Sequence, residues 1–143
     1  MKKRKFYFRT LVGAGLIAAA AAFPAFADNW IHQENGWVCK TADGYMQTGW
    51  YQDKNNGGKW YYLWPEAGNR LGCMQTGWLQ KDGKWYFFDT RSGSSGAMLT
   101  GWQWIDGKCY YLDPAAGGAM AISNTLLDGS RVGSDGAWVD GSG

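Results

Sequence analysis

Six of the ten tryptophans in this 143-residue chain fall in pairs: Trp30 with Trp37, Trp50 with Trp60, and Trp78 with Trp85. An indole face carries partial negative charge. Two or three converging rings can therefore hold a quaternary ammonium, a cation with no hydrogen to donate. The same face can take the apolar side of a sugar, whose hydroxyls then need polar partners. Gln80, Asp82 and Asp106 are the candidates for that second role. Other chemistry is poorly supplied. His32 is the sole histidine, so no acid–base pair is visible and no catalytic residue is assigned. Cys39, Cys73 and Cys109 form no CxxC, and the Asp-Gly segments lack the ligand spacing of a calcium hand. No metal or cofactor is expected, and the chain reads as a non-enzyme.

The rings recur in register, which calls for a repeating element to position them. The leading tryptophans are Trp30, Trp50, Trp78 and Trp102. A second aromatic follows seven residues on at Trp37 and Trp85, and ten on at Trp60, where the hairpin loop gains three residues. In the fourth turn this place is taken by Cys109. Met46, Met74 and Met98 each precede the next leading Trp by four residues, and Met120 keeps that place before Asn124. Such spacing predicts turns near 29–48, 49–76, 77–100 and 101–122, with a terminal unit at 123–143. Each unit reads as a β-hairpin. In the third, residues 77–81 and 84–88 are strands joined by Asp82-Gly83, a pair suited to a tight turn that needs positive φ. A lone hairpin is marginal in water, whereas stacked hairpins cover one another's aromatic faces. The expected fold is all-β, a solenoid of stacked hairpins. Strand alternation puts Trp60 and Tyr62 on one face and Tyr61 on the other. Tyr61, Tyr86 and Tyr110 are read as structural rings.

Composition agrees. Residues 28–143 hold all ten Trp but only 7 Leu, 3 Ile and 3 Val, too few for an aliphatic core. Residues 1–27 carry a basic start, the apolar run LVGAGLIAAAAAF and the small-x-small Ala25-Phe26-Ala27, the layout of a secretory leader cleaved before Asp28. That run is shorter than the roughly 20 residues that span a bilayer, so no membrane span is expected after cleavage. The leader holds 5 of the 14 Lys+Arg and none of the 12 Asp+Glu, leaving 9 basic and 12 acidic residues and a net charge of −3. This gives no support for nucleic-acid binding. Export would permit a disulfide. Cys39 and Cys73, in adjacent turns, are the pair that could meet, leaving Cys109 as a buried thiol or an intermolecular link.

The pattern GWLQKDGKWYFF…GAMLTGW resembles the cell-wall-binding, or choline-binding, repeat of Gram-positive bacteria, and is similar to the glucan-binding repeats of glucosyltransferases. The likeness covers most of the chain from Trp30 to Trp138. It implies a left-handed hairpin solenoid with ligand cages between successive hairpins. Carried over position by position, the cages are Trp30, Trp37 and Tyr62; Trp50, Trp60 and Phe87; and Trp78, Trp85 and Tyr111, with Met74 and Met98 nearby. The fourth lacks its second wall at Cys109. The implied partner is choline on teichoic or lipoteichoic acid, or alternatively a glucan or other wall carbohydrate. A structural protein without a small ligand is the third reading. Repeats of this kind commonly accompany a catalytic domain, so a separate protein carrying catalysis is a further expected partner. The implied location is the wall or surface of a Gram-positive cell.

Overall fold

A computed structural model describes residues 29–92 and 95–141. The leader, 1–27, lies outside the described residues. Four antiparallel hairpins follow in order: β1 (Asn29–Gln33) with β2 (Gly36–Lys40), β3 (Gly49–Asp53) with β4 (Lys59–Leu63), β5 (Gly77–Lys81) with β6 (Lys84–Phe88), and β7 (Gly101–Ile105) with β8 (Lys108–Asp113). The short β9 (Ala119–Met120) joins the last pair. The terminal unit is a three-stranded sheet of β10 (Asn124–Thr125), β11 (Arg131–Val132) and β12 (Trp138–Val139).

The local chemistry accounts for each hairpin. Asp82 and Gly83 have φ of 52° and 77°, and Asp106 and Gly107 have 51° and 82°, so both tight turns use the doubly positive conformation that suits right-handed strand twist. The three extra residues of the second turn form a 3-10 helix, Lys54–Asn56, capped by the Asp53 carboxylate accepting from the Asn55 N–H. The insertion is absorbed in the loop and the strands keep their register, with Trp50 opposite Tyr62 and Gln52 opposite Trp60. Gly49, Gly77 and Gly101, the glycines of the three Gly-Trp steps, share φ of 77–79°. Ser123 keeps the same place at 46°, so Asn124 stands where a fifth leading Trp would be.

The hairpins are stitched by their return segments. Met74, Met98 and Met120 pair with Leu63, Phe88 and Leu112 of their own hairpins. The Met74 and Met98 N–H groups also donate to the carbonyls of Trp37 and Trp60 in the preceding hairpin, both at 2.7 Å. Strand alternation then gives each hairpin two working faces. One carries the leading and second-strand tryptophans; the other carries Tyr61, Tyr86 or Tyr110 and meets the hairpin before it. Between the layers lie small clusters, Tyr62 with Leu79 and Phe88, then Phe87 with Ile105 and Leu112. The buried carboxylate of Asp89 accepts from two of the three guanidinium nitrogens of Arg91, Nε and Nη2, the closer at 2.7 Å.

None of the three cysteines is in a disulfide, so the expected Cys39–Cys73 pair is not formed. Register is the reason. Cys73 bridges Val38, not Cys39, and adjacent strand residues point to opposite faces. The Cys73 thiol instead faces the Asn35 carbonyl at 3.4 Å. Thiol titration of the native protein should find no disulfide within the chain, and Cys109 should react first because Cys39 and Cys73 are buried. Burial raises the Cys109 pKa, so its labelling should be slow at neutral pH and quicken as pH rises and thiolate forms. Labelling of Cys39 ahead of Cys109 would contradict this packing.

Candidate functional site: aromatic grooves between hairpins

Each groove is built by two hairpins. In the first, Trp30 and Trp37 come from β1 and β2, and Tyr61 comes from β4 of the next turn. The Trp30 and Tyr61 ring centres are 4.8 Å apart and tilted by 57°. Met74, fixed by its hydrogen bond to Trp37, closes a cavity of about 240 Å³ that Asn56, Lys59 and Ser95 also line. The amide of Asn56 donates to the Tyr61 oxygen at 3.1 Å. Burial pushes the Tyr61 phenol upward; the Asn56 hydrogen bond opposes this and the Asp53 charge adds to it, so the ring enters the groove as a neutral phenol.

The next two grooves repeat the plan. Trp50 and Trp60 face Tyr86 and Met98 around about 450 Å³, with Trp50 and Tyr86 centred 4.9 Å apart. Trp78 and Trp85 face Tyr110 and Met120 around about 270 Å³, with Trp78 and Tyr110 centred 5.0 Å apart and Trp78 and Trp85 6.1 Å apart, nearly perpendicular. Trp37, Trp50, Trp60 and Trp85 remain 38–43% exposed, a large solvent-open indole surface for side chains that fold well under cover elsewhere. Crossed ring planes beside a polarizable thioether form a concave, electron-rich wall.

The structure thus unites Trp30 with Trp37, Trp50 with Trp60, and Trp78 with Trp85, and brings Met74 and Met98 to the first two grooves. It does not place Tyr62, Phe87 or Tyr111 as third walls. Those rings lie opposite Trp50, Trp78 and Trp102 within their own hairpins. Tyr62 and Phe87 are buried between layers, and Tyr111 lies tilted against Trp102 with ring centres 5.2 Å apart. The correction has a simple cause. A ring two residues beyond the second-strand Trp shares its face and so points toward the following turn. The ring one residue beyond points back into the preceding groove, which is why Tyr61, Tyr86 and Tyr110 line the cavities.

A fourth space of about 310 Å³ is lined by Trp102, Trp104, Cys109, Ser130 and Trp138. Two substitutions shape it. Trp104 lies opposite Cys109, where the other hairpins set His32, Gln52 and Gln80 opposite Trp37, Trp60 and Trp85, so the indole has crossed to the first strand. Trp138 occupies the methionine place. Gly136-Ala137-Trp138 matches Gly118-Ala119-Met120, and Gly136 packs under Met120 as Gly118 packs under Met98. That signal was readable in the sequence and is absent from its cage assignments.

Among the described residues no group of three His, Cys, Asp or Glu side chains could hold a metal ion, and no helix is long and apolar enough to cross a membrane.

Comparison with known proteins decides the family. A profile for a cell wall binding repeat of the choline-binding type matches residues 76–91 and 100–115. The solved choline binding domain of Spr1274 from Streptococcus pneumoniae is 34% identical with a TM-score of 0.51, covering 65% of this chain and 95% of that one. The chain belongs to the choline-binding repeat family. Choline binding protein F of Streptococcus pneumoniae, solved in the presence of a peptidoglycan analogue, is 36% identical with a TM-score of 0.65 over 80% of this chain. The endolysin of phage Cp-1, solved with choline, is 30% identical with a TM-score of 0.54 over 70%. The chain spans about a third of the length of choline binding protein F and about a quarter of the endolysin. No curated protein sequence matches. Within this family, the described residues form a nearly all-β array of hairpins, as the sequence led us to expect.

Proposed function

We propose that this choline-binding repeat protein is an exported wall-binding module that holds choline groups of teichoic or lipoteichoic acid and performs no catalysis itself. Residues 1–27 are its cleaved leader and 28–143 the binding module, which acts at the surface of a Gram-positive cell. One observation carries the reading: three successive grooves each set two Trp, a Tyr from the next hairpin and a Met around an open cavity. Rings so arranged attract a trimethylammonium by their quadrupoles and pack against its methyl groups. Each groove alone is weak. Several on one scaffold gain avidity against a polymer that repeats its ligand. Any catalysis at the wall belongs to a partner protein.

A carbohydrate reading is favoured by one further cavity. Trp104, 73% exposed, borders a cavity of about 380 Å³ with Gln103, Thr90, Arg91 and Asp106, an indole platform ringed by hydrogen-bonding groups. Gln80 lies opposite Trp85, and Asp82 occupies a turn, 3.8 Å from the Lys81 ammonium.

Titration separates the readings. Choline should perturb Trp fluorescence with a roughly millimolar Kd. Its uncharged isostere 3,3-dimethylbutanol should bind at least about fivefold more weakly, because it loses the cation–π term. Equal binding of the isostere would leave only apolar packing. Response to glucan oligomers without response to choline would move the function to the cavity beside Trp104.

A further inference from the structure

Trp104 has no counterpart in the other hairpins. It stands where they set His32, Gln52 and Gln80, and its indole is more exposed than any tryptophan of the three grooves. A polar side chain serves the fold at this place, so packing does not account for the ring. The cavity it borders has a second aromatic wall in Trp78 and an apolar lining of Phe87, Leu99 and Ile105. Trp78 also lines the third groove, so one indole belongs to both spaces. Trp85, Tyr110 and Met120 line the groove alone, and Trp104 lines none of the three grooves.

The polar lining is held in place. Nε and Nη2 of Arg91 donate to the buried Asp89 carboxylate, which fixes the guanidinium and leaves Nη1 to donate. The Gln103 amide donates from Nε2 to the Thr100 carbonyl at 2.9 Å, which leaves its oxygen to accept. Thr90 adds a hydroxyl and Asp106 a carboxylate. A trimethylammonium uses none of these groups, because it neither donates nor accepts. A pyranose uses both kinds of wall, its C–H face against an indole and its hydroxyl edge against fixed donors and acceptors. Charge narrows the choice. Among the described residues the lining carries two carboxylates against one guanidinium, so a sugar acid meets net repulsion. The volume, about 380 Å³, falls in the range of about 300–1,000 Å³ typical of small-molecule sites.

We infer that this cavity is a second binding site, for a neutral pyranose oligosaccharide, filled at the same time as the choline grooves. It makes the carbohydrate feature noted above a companion of the cages, not their rival. The simultaneous filling rests on the cage reading; the saccharide site does not.

The test titrates the full chain with triacetylchitotriose and with isomaltotriose, each with and without saturating choline, and follows the indole N–H resonances. At least one sugar should shift Trp104 and Trp78 while Trp85 and Trp50 stay still. Response to the first assigns an amino-sugar strand as the source, and response to the second a glucan. Choline alone should shift Trp78 together with Trp85, and the sugar shift of Trp104 should persist when choline is saturating. Trp104→Ala should weaken the sugar at least about tenfold, as loss of an aromatic anchor does, while choline still shifts Trp50 and Trp60. Trigalacturonate should bind more weakly than the neutral sugar. Asp106→Asn, whose side chain tolerates the φ of 51° at this turn, should narrow that gap. No shift of Trp104 with either neutral sugar, or undiminished sugar binding by Trp104→Ala, would overturn the inference. Trigalacturonate binding as tightly as the neutral sugars would overturn the neutral assignment. Displacement of the sugar by choline would overturn simultaneous filling. If choline moves no groove indole while sugar still moves Trp104, the cage reading falls and the saccharide site stands.

Discussion

Gly96→Ala should cost about 2–5 kcal/mol and deform the first groove. Two effects combine. Gly96 has φ of +84°, where a residue with a Cβ is strained by about 1–2 kcal/mol. A Cβ there would also overlap the Sδ and Cγ of Met74, and forcing extra volume into a packed contact costs about 1–3 kcal/mol. The displaced thioether has the Trp37 groove on its other side, so choline affinity should fall there as well. Gly101→Ala is the control. Its φ of +79° is similar, but nothing lies within 4 Å of its would-be Cβ, so it should show the strain alone. Adding Met74→Ala to Gly96→Ala should recover the collision and leave the strain, a coupling that thermal or urea unfolding of the four variants measures. Equal losses for Gly96→Ala and Gly101→Ala would mean the methionine simply swings aside. The same contact recurs at Gly72 under Met46, Gly118 under Met98 and Gly136 under Met120. This ladder accounts for the Gly two residues before Met74, Met98, Met120 and Trp138.

Tyr86→Leu should weaken choline at the second groove by roughly five- to thirtyfold, the loss of one ring contact worth about 1–2 kcal/mol. Tyr86 faces Trp50 with centres 4.9 Å apart and is only partly buried, so leucine preserves much of the packing. Phe87→Leu, one residue on, should do the reverse. Phe87 is 8% exposed and packs on Ile105 and Leu112, so its truncation lowers stability while choline affinity at the second groove holds. Isothermal titration beside thermal unfolding resolves the two effects. Loss of choline affinity in Phe87→Leu but not in Tyr86→Leu would restore the assignment made from the resemblance and reject the one made from the geometry.

That contrast marks what a sequence of this kind carries. Hairpin identity was legible because each strand pair is local: Asp82-Gly83 demands its turn, and the Trp spacing shows that the insertion before Lys59 is confined to a loop. Which tryptophans share a groove was also legible, since Trp30 and Trp37 belong to one hairpin and one face. The third wall was not. Alternation separates Tyr61 from Tyr62, but one hairpin does not say which of its faces meets the previous turn; that depends on the direction of stacking. Methionine hydrogen bonds such as Met74 to Trp37 set that direction, and they lie between turns. The cysteines failed for a related reason, because adjacency of turns brought Cys73 opposite Val38 and not Cys39. The fourth space was hidden by two compensating changes, Trp104 across from Cys109 and Trp138 in a methionine place.

The central claim is that the spaces between hairpins are cation cages. The most direct measurement is a choline titration of the native chain, followed at each indole N–H by NMR. Trp30, Trp37, Trp50, Trp60, Trp78 and Trp85 should shift in a saturable way. Trp64 lines none of the three grooves, and its N–H donates to Gln75 at 2.9 Å while its ring carries Arg70 at 4.1 Å, so its resonance should stay still. Shifts confined to Trp64 and Trp104, or no shift at any groove indole, would contradict the account.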